Sequence, residues 1–458
     1  MPIAQPLLSV GRMTTTAPPR TRAAALATLL LAEAMNLLDT TIVQVAAPVM
    51  RAGLRGDAGD IQWFSAAYTL AFAVLLITGG RLGDIAGRRR IFRLGVAGFV
   101  LASLICALAV GPGMLIAARA VQGAGAALVI PQTIGLIKAM YAGPELGRAF
   151  GAIGPVMALS AVCGPILGGA LTSANLFDTG WRAVFLVNIP FGLAVLACSR
   201  LLPEDRAPHR PRLDLPGTVL VTVGSGLLIY PLIEGTGWVL LVPGVLVLLG
   251  FAASQRNRRA PLVEPRLFGN RRFPAALLGS TLFFAAMQGL IQVIVLHLQL
   301  GEHAGSLASG LSLLPWSLAM GAASLLAGRL VVRYGDRVMF AGLLVLGAGV
   351  ALALTGPAVL FTGLGIAGFG IGLFTASFFS SALAKVRPQE NGSAAGLLNA
   401  VQQFGGTLGV AVLGSVFFAV FDGSAGSSLG GLRLAFASAC VLVLGTALAV
   451  GLMRARTR

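Results

Sequence analysis

Charged side chains are scarce in this sequence. Asp, Glu, Lys and Arg together make up 11% of its 458 residues, well below the roughly 25% that is typical of soluble domains. Hydrophobic residues reach 56%, and a soluble fold could not cover so many of them. The shortage of charge therefore excludes a soluble globular protein and favours an integral membrane protein.

Cysteine, histidine and lysine are scarce as well. The four cysteines lie within apolar segments without the spacing of a disulfide framework or metal site, and the three histidines form no cluster. The only lysines are Lys138 and Lys385, and the absence of a G-x-x-x-x-G-K-[ST] segment excludes a phosphate-binding loop for ATP. No nucleophile and base gather near a membrane surface, which argues against an enzyme. We therefore expect no cofactor, and an ion gradient as the energy source.

The apolar residues form repeated segments of about 18–25 residues, long enough at about 1.5 Å per residue to cross a hydrocarbon layer of roughly 30 Å. Breaks of glycine, proline and charge separate fourteen candidate spans. They cover residues 23–46, 62–80, 92–110, 114–137, 149–172, 183–202, 214–233, 237–254, 273–298, 306–328, 338–356, 358–381, 393–421 and 431–452. Arg20 and Arg22 resemble the start of a secretory signal, but the segment after them continues to Met50, as a retained helix does.

The segment that follows the second span is repeated after the tenth. GRLGDIAGRRR at residues 80–90 corresponds to GRLVVRYGDR at residues 328–337, and duplicated halves are typical of secondary transporters. We predict an all-α polytopic membrane protein with two six-helix bundles and two inserted central helices. Its parts are a tail at 1–22, a bundle at 23–202, connectors at 203–272 that enclose inserted helices at about 214–254, a second bundle at 273–452 and a tail at 453–458.

The formal net charge is +17, which would suggest nucleic acid binding in a soluble protein. The basic residues are instead concentrated in alternate loops between the spans, as the positive-inside rule requires. Arg51, Arg55, Arg182 and Arg433 fall in loops of the other side, and Arg119 lies within the fourth span. We therefore predict no nucleic acid partner, and a multi-pass protein of the inner or plasma membrane, in contact with lipid, with both termini in the cytoplasm.

The first span carries a polar stripe. Glu33, Asn36, Thr40 and Gln44 fall within a sector of about 80° when successive residues are placed about 100° apart. We predict that this stripe lines the substrate cavity, with Asp39 at its edge. Acidic residues inside a membrane mark functional sites by default, and the alternative is a polar helix interface without a role in transport.

Arg119 places a permanent charge inside the fourth span, at a cost of at least roughly 2.5–3.5 kcal/mol. It lies about 22 Å from the inner boundary and Asp39 lies about 24 Å from it, so we predict an ion pair; the alternative is that Arg119 extends to the outer interface. Glu33 lies about 15 Å deep, near the midplane, where no cation is predicted. A buried carboxyl without a fixed partner suits proton uptake and release, so Glu33 is the predicted proton carrier.

Two glycine-containing segments indicate closely packed parts. After the second span, Gly83 and Gly87 permit close helix approach and tight turning, and Asp84 can accept charge-assisted hydrogen bonds from neighbouring arginines such as Arg88. The alternative for the arginines is an anchor at the membrane surface. The fifth span has a face of small residues that is typical of helix packing. Its last part contains Gly164, Pro165, Gly168 and Gly169.

In their order along the chain, these segments resemble the major facilitator superfamily, and in particular its fourteen-helix drug:proton antiporter branch. The resemblance covers nearly the whole chain. The matching segments are LDTTIVQVAAP from Leu38, GRLGDIAGRRR from Gly80, RAVQGAGAA from Arg119, CGPILGG from Cys163, WRAVFLVNIPFG from Trp181 and LDLPG from Leu213.

The resemblance implies alternating access, in which Gly83, Asp84, Gly87 and Arg88 govern the conformational switch and Arg119 serves proton coupling. It implies that CGPILGG is the antiporter motif, whose glycines and proline shape a bend and tight packing in the fifth span. It also implies the export of drugs or antibiotics. Several relatives are expected to carry acidic residues within the last six spans, whereas this sequence has none there, which argues against dicationic substrates.

Neutral polar and aromatic side chains are predicted to complete the cavity, which suits a bulky amphipathic organic substrate with few charges. The polar ones are Gln122, Gln288, Gln292, Asn399, Gln402 and Gln403, and the aromatic ones are Phe283, Phe284 and Trp316. The fold does not fix the direction, so proton-coupled uptake, or export of one specific metabolite, is the alternative. A channel should show a repeated selectivity element and a receptor a sizeable extramembrane domain, and neither is visible. We expect a monomer.

Overall fold

The computed structural model describes residues 18–175, 178–206, 212–258, 261–269, 272–356, 359–384, 386–387 and 391–454. Within these ranges, fourteen helices are long and apolar enough to cross a membrane, which confirms the predicted all-α polytopic fold. In chain order they are α1 (Pro19–Leu54), α2 (Ala58–Ala86), α3 (Arg88–Ala107), α4 (Pro112–Met140), α5 (Gly143–Ser173), α6 (Gly180–Leu201), α7 (Leu215–Glu234), α8 (Trp238–Asn257), α9 (Arg272–Gly301), α10 (Ser306–Tyr334), α11 (Arg337–Leu354), α12 (Leu360–Leu383), α13 (Asn391–Phe418) and α14 (Ala425–Arg454). The predicted tails and connectors lie partly outside the described residues.

The sequence sets the ends of the first helices. Proline at the first position of α1, Pro19, loses no helical hydrogen bond there, because that N–H would have no partner in any case. The helix ends at Leu54, and the next residue, Arg55, caps it in a left-handed conformation with φ of 55°. Between α2 and α3 the chain turns at Gly87 with φ of 103°, and a side chain at this position would also meet Glu204. The turn therefore requires glycine.

Three spans contain irregular segments. α5 consists of Gly143–Gly151 and Ile153–Ser173, and α10 consists of Ser306–Ser312 and Leu314–Tyr334. α9 is regular to Leu296 and ends in a π-helix, His297–Gly301. These breaks do not interrupt the spans, so the predicted number of membrane crossings is unchanged.

The two halves of the chain pack in the same way. α4 contacts both α2 and α3, and α5 contacts α1; in the second half α12 contacts both α10 and α11, and α13 contacts α9. The close approaches occur at glycines. Gly123 of α4 has no room for a side chain against the backbone of Tyr68 in α2, and Gly368 of α12 has none against the backbone of Trp316 in α10. The duplication expected from the repeated loop is thus present in the helix packing.

The inserted helices α7 and α8 pack against each other, and α7 lies beside the contact between α2 and α13. The hydroxyls of Thr218 in α7 and Thr78 in α2 are 2.9 Å apart and share a hydrogen bond. On the other side, Ser415 of α13 donates to the backbone oxygen of Leu232 in α7. The inserted pair therefore touches both bundles through α7, which the sequence did not predict.

We expect Gly123→Val to lower the melting temperature of the detergent-purified protein by several degrees, because overpacking typically costs about 1–3 kcal/mol. Gly98→Val is the matched control, since Gly98 of α3 has open space where its side chain would lie. The measurement is thermal unfolding followed by size-exclusion chromatography. Equal melting temperatures for the two variants would contradict the close α2–α4 contact.

Candidate functional site

A buried ion pair lies within the first bundle. Arg119 of α4 donates through Nη1 to Asp39 Oδ2 of α1 at 2.5 Å, and the two side chains are 1% and 0% exposed. The second carboxylate oxygen, Oδ1, accepts from Gln122 Nε2 at 2.8 Å and from Asn188 Nδ2 at 2.7 Å. The predicted pairing of Asp39 with Arg119 is therefore confirmed.

Further contacts surround the guanidinium group of Arg119. Its Nε donates to the backbone oxygen of Phe64 at 2.8 Å, and Nη1 also donates to Gln122 Oε1 at 2.6 Å. The guanidinium carbon lies 4.3 Å from the ring centre of Tyr68 and 5.9 Å from that of Phe185. Such contacts offset part of the cost of burying the charge. Arg119 thus points into the bundle, and the alternative of an extension to the outer interface is wrong.

The ion-pair cluster has members that the sequence analysis assigned elsewhere or missed. Gln122 was predicted to line the substrate cavity, but it is fully buried and its amide is bonded to Asp39, Arg119 and Ser103. Ser103 Oγ accepts from Gln122 at 2.8 Å and from Asn188 at 3.4 Å. Asn188 and Ser103 were missed because a neutral polar residue in an apolar span does not reveal its partner. The one available signal was the position of Asn188 in WRAVFLVNIPFG.

Glu33 of α1 has a different environment from Asp39. Its side chain is partly exposed and lies beside the hydroxyl of Thr133 in α4. In the described part of the chain, no basic side chain forms an ion pair with it. The two acids are six residues, or about 9 Å, apart along the helix. One acid of α1 is therefore neutralised by a cation, whereas the other is partly exposed and pairs with no cation among the described residues.

The polar stripe of α1 is not exposed along its whole length. Thr40 is partly exposed, but Asn36 and Gln44 are 6% and 3% exposed. Asn36 accepts a hydrogen bond from the hydroxyl of Tyr68 in α2. In this conformation the prediction of a continuous cavity-lining stripe is therefore wrong for Asn36 and Gln44, because neighbouring elements cover them.

The second bundle contributes accessible amides and a buried aromatic core. Four of the predicted cavity residues are partly exposed: Gln288, Asn399, Gln402 and Gln403. Phe283 is fully buried, with its ring centre 4.1 Å from that of Phe374 and 5.2 Å from that of Phe284. Trp316 is 2% exposed. The prediction that these aromatic residues line the cavity is therefore wrong in this conformation, because they pack against helices of their own bundle.

Gln292 of α9 was also predicted to line the cavity, and the structure does not place it there. The side chain is fully buried, and neither its amide nitrogen nor its amide oxygen has a hydrogen-bond partner among the described residues. It cannot line an open cleft while it is covered on all sides. A buried amide without partners is costly, which distinguishes Gln292 from the satisfied Gln122.

The two membrane faces differ in how the bundles meet. We call the face where α2 ends the basic face, because Arg88, Arg89 and Arg90 lie there, and the other the opposite face. Near the opposite face, Gln299 of α9 donates through Nε2 to the backbone oxygen of Val45 in α1 at 2.8 Å. The partly exposed polar residues named above lie on the basic-face side of this contact along their helices: Glu33, Thr40, Gln288, Asn399, Gln402 and Gln403. The two bundles therefore contact each other near the opposite face, and these polar residues lie nearer to the basic face.

The fifth-span motif takes part in this contact between the bundles. Side chains at Gly164 or Gly168 would meet Thr41 or Ile42 of α1, and a side chain at Gly169 would meet the backbone of α10 at Ser306 and Leu307. The backbone of Pro165 closely approaches Gly310 of α10. The predicted tight packing is confirmed. It joins α5 to its own bundle and to the second bundle.

The loop between α2 and α3 is held by ion pairs and close contacts. Asp84 Oδ1 accepts from Arg88 Nη2 at 2.8 Å, and Arg88 Nη1 lies 3.4 Å from Asp205 Oδ2 in the connector after α6. A side chain at Gly83 would collide with Gln132 of α4. The predicted acceptor role of Asp84 and the need for a glycine at residue 83 both agree with this geometry.

Comparison with known proteins gives a match to the Major Facilitator Superfamily over residues 29–410. A probable actinorhodin transporter of Streptomyces coelicolor is 44% identical over 89% of this chain and 74% of that protein. A puromycin resistance protein of Streptomyces alboniger is 37% identical over 85% of this chain and 81% of that protein. A cephamycin export protein of Amycolatopsis lactamdurans is 35% identical over 92% of this chain and 90% of that protein.

Solved transporter structures share the fold. A bacterial homologue of the human lysosomal transporter Spinster, in an inward-facing and unoccupied conformation, has a TM-score of 0.72 at 18% identity and covers 95% of this chain and 97% of that chain. A human organic anion transporter has a TM-score of 0.64 at 19% identity, with coverage of 95% and 100%. At these identities the likeness concerns the arrangement of helices.

We expect Asp39→Asn and Arg119→Gln each to reduce folded yield strongly, because removing one member of a buried pair typically costs about 3–5 kcal/mol. The double variant should be less impaired than the sum of the two, since it leaves no unpaired charge. The measurement is the melting temperature and membrane yield of the four proteins in a double-mutant cycle. Strict additivity would show that the pair contributes no coupling.

We expect Gly83→Val and Asp84→Asn to abolish transport while leaving membrane insertion intact. The first substitution pushes the loop away from Gln132, and the second weakens the ion pair with Arg88. The measurement is the exclusion of a compound that cells expressing the unaltered chain keep out. Gly147→Val is the control, because Gly147 of α5 has open space around it. Normal exclusion by both test variants would refute a switching role for the loop.

Proposed function

Because this chain belongs to the Major Facilitator Superfamily, we propose that it exports small organic compounds in exchange for protons by alternating access. Family membership and the transporters among its relatives identify a membrane transporter and not an enzyme. The names of three relatives specify actinorhodin transport, puromycin resistance and cephamycin export. They support an antibiotic or another drug as the exported compound.

The different environments of the two acids in α1 carry the proposal of proton coupling. Asp39 accepts from Arg119, Gln122 and Asn188 and is fully buried, so its negative charge is fixed in place. Glu33 is accessible and has no cation among its described neighbours. We assign proton uptake and release to Glu33, and to the Asp39–Arg119 pair the role of holding α1 against α4. Energy comes from the proton gradient without a cofactor.

Competition at the first helix would link the proton to the substrate. Thr40 and Glu33 are accessible on α1, and Gln288, Asn399, Gln402 and Gln403 are accessible on the second bundle. Amide and hydroxyl groups suit a bulky amphipathic compound with few charges, which binds at the basic face and displaces the proton of Glu33. The protonated and the ionised forms of Glu33 then favour different conformations of the two bundles.

The transport cycle also requires the opposite face to open. The contact of Gln299 with Val45 would break there, together with the packing of α5 on α10. The loop at Asp84 and Arg88 would change its contacts as the basic face closes. A single chain contains both bundles, so we propose a monomer. By the positive-inside rule the basic face is cytoplasmic, in a cell membrane with both termini inside.

We expect Glu33→Gln to remove substrate-induced proton release and pH-driven accumulation in everted membrane vesicles, while substrate binding remains. The substrate is first selected by screening antibiotics of the classes named for the relatives for exclusion from expressing cells. Glu145→Gln is the control, because Glu145 is an exposed acid that pairs with Arg22 at the surface. Proton release and accumulation at the unaltered level in Glu33→Gln would overturn the assignment, and accumulation in the reverse direction would indicate uptake.

A further inference from the structure

A cavity of about 520 Å³ lies at the basic face between α3 and α6, and both of these helices belong to the first bundle. Three arginines of the first turns of α3 line it: Arg89, Arg90 and Arg93. Nothing in the proposed transport mechanism uses this cavity. Its charge therefore needs a separate explanation.

The arginines are only partly neutralised by protein groups. Arg89 Nε lies 3.3 Å from Glu204 Oε2, and its Nη1 donates to the backbone oxygen of Leu202 at 3.1 Å. Arg90 and Arg93 are exposed, and no acidic side chain pairs with either within the part of the chain that the structure describes. The cavity therefore carries two cations without partners beside one satisfied ion pair.

Protein groups already occupy the start of α3. The backbone N–H of Arg88 donates to the backbone oxygen of Asp205 at 2.9 Å, and the side chain of Arg88 pairs with Asp84 and Asp205. Arg90 and Arg93 are therefore the groups at the mouth of the cavity that suit a phosphate group.

The remaining lining residues of α3 and α6 are apolar, which favours a ligand that has both an anionic part and an apolar part. Leu94, Ala97 and Leu196 line the cavity. Further from the basic face, Leu101 of α3 and Leu193 of α6 are 59% and 55% exposed. The residues of α3 follow helical spacing, so an apolar strip runs from the arginines into the depth of the membrane. A free phosphate would leave this strip unused.

We propose that this cavity binds an anionic phospholipid. Its phosphate group contacts Arg90 and Arg93 at the membrane boundary, and its acyl chains lie along Leu94, Ala97 and Leu196. Basic pockets between membrane helices on the cytoplasmic side are suited to such headgroups. Glu204 restricts the headgroup to the part of the cavity beyond Arg89, since it repels an anion at its own position.

The proposal is tested by native mass spectrometry of the full chain purified in detergent. Dioleoyl phosphatidylglycerol, dioleoyl phosphatidylcholine and inorganic phosphate are titrated separately. We expect phosphatidylglycerol to bind at least tenfold more tightly than phosphatidylcholine, and inorganic phosphate not to compete with it at equal concentration. Arg90→Gln/Arg93→Gln should weaken phosphatidylglycerol binding by about tenfold or more.

The matched control is Arg148→Gln/Arg256→Gln, which removes the same charge from exposed positions outside the cavity and should change binding less than twofold. Leu94→Asn should weaken phosphatidylglycerol binding although all the arginines remain, which gives a second variant if the double substitution does not fold. If the control variant weakens phosphatidylglycerol binding equally, the loss comes from general surface charge, and the proposal is overturned. Unchanged binding in Arg90→Gln/Arg93→Gln, or competition by inorganic phosphate, would overturn it as well.

Discussion

The cost of burying charge in a membrane determines how the first bundle is built. Asp39 and Arg119 are both covered, so each needs the other, and their remaining polar atoms need further partners. Such partners come from the Phe64 backbone of α2, Gln122 of α4 and Asn188 of α6. Ser103 of α3 in turn accepts from Gln122 and Asn188, whereas Arg119 Nη2 has no hydrogen-bond partner among the described residues. One ion pair therefore fixes the position of α1 relative to the helices around it.

The two bundles share a packing pattern but differ in their chemistry. Glycine contacts join α2 to α4 at Gly123 and α10 to α12 at Gly368 in corresponding places. The first bundle contains Glu33, Asp39 and Arg119, whereas none of the last six spans contains an acidic residue. Duplication thus preserved the backbone contacts and left the side chains free to diverge. In the proposed cycle, the first bundle carries the charge and the second offers amides to the substrate.

The sequence predicted the spans, and it predicted the ion pair because depth along a helix follows directly from residue number. It could not predict which polar residues contact a neighbouring helix and which line the cavity. Gln122 and Asn36 were therefore placed in the cavity although they bond to other helices, and Gln292 although it is covered. The contact between the bundles near the opposite face and the position of α7 depend on long-range contacts, for which a single sequence has no periodic signal.

The central claim is that Glu33 exchanges its proton when substrate binds, while Asp39 does not. Infrared difference spectroscopy of the purified protein measures this directly through the stretching band of a protonated carboxyl group. We predict that substrate addition removes one such band from the unaltered protein, and that Glu33→Gln shows no band change. A band that substrate removes equally in Glu33→Gln would place the exchanged proton on another group and contradict the account.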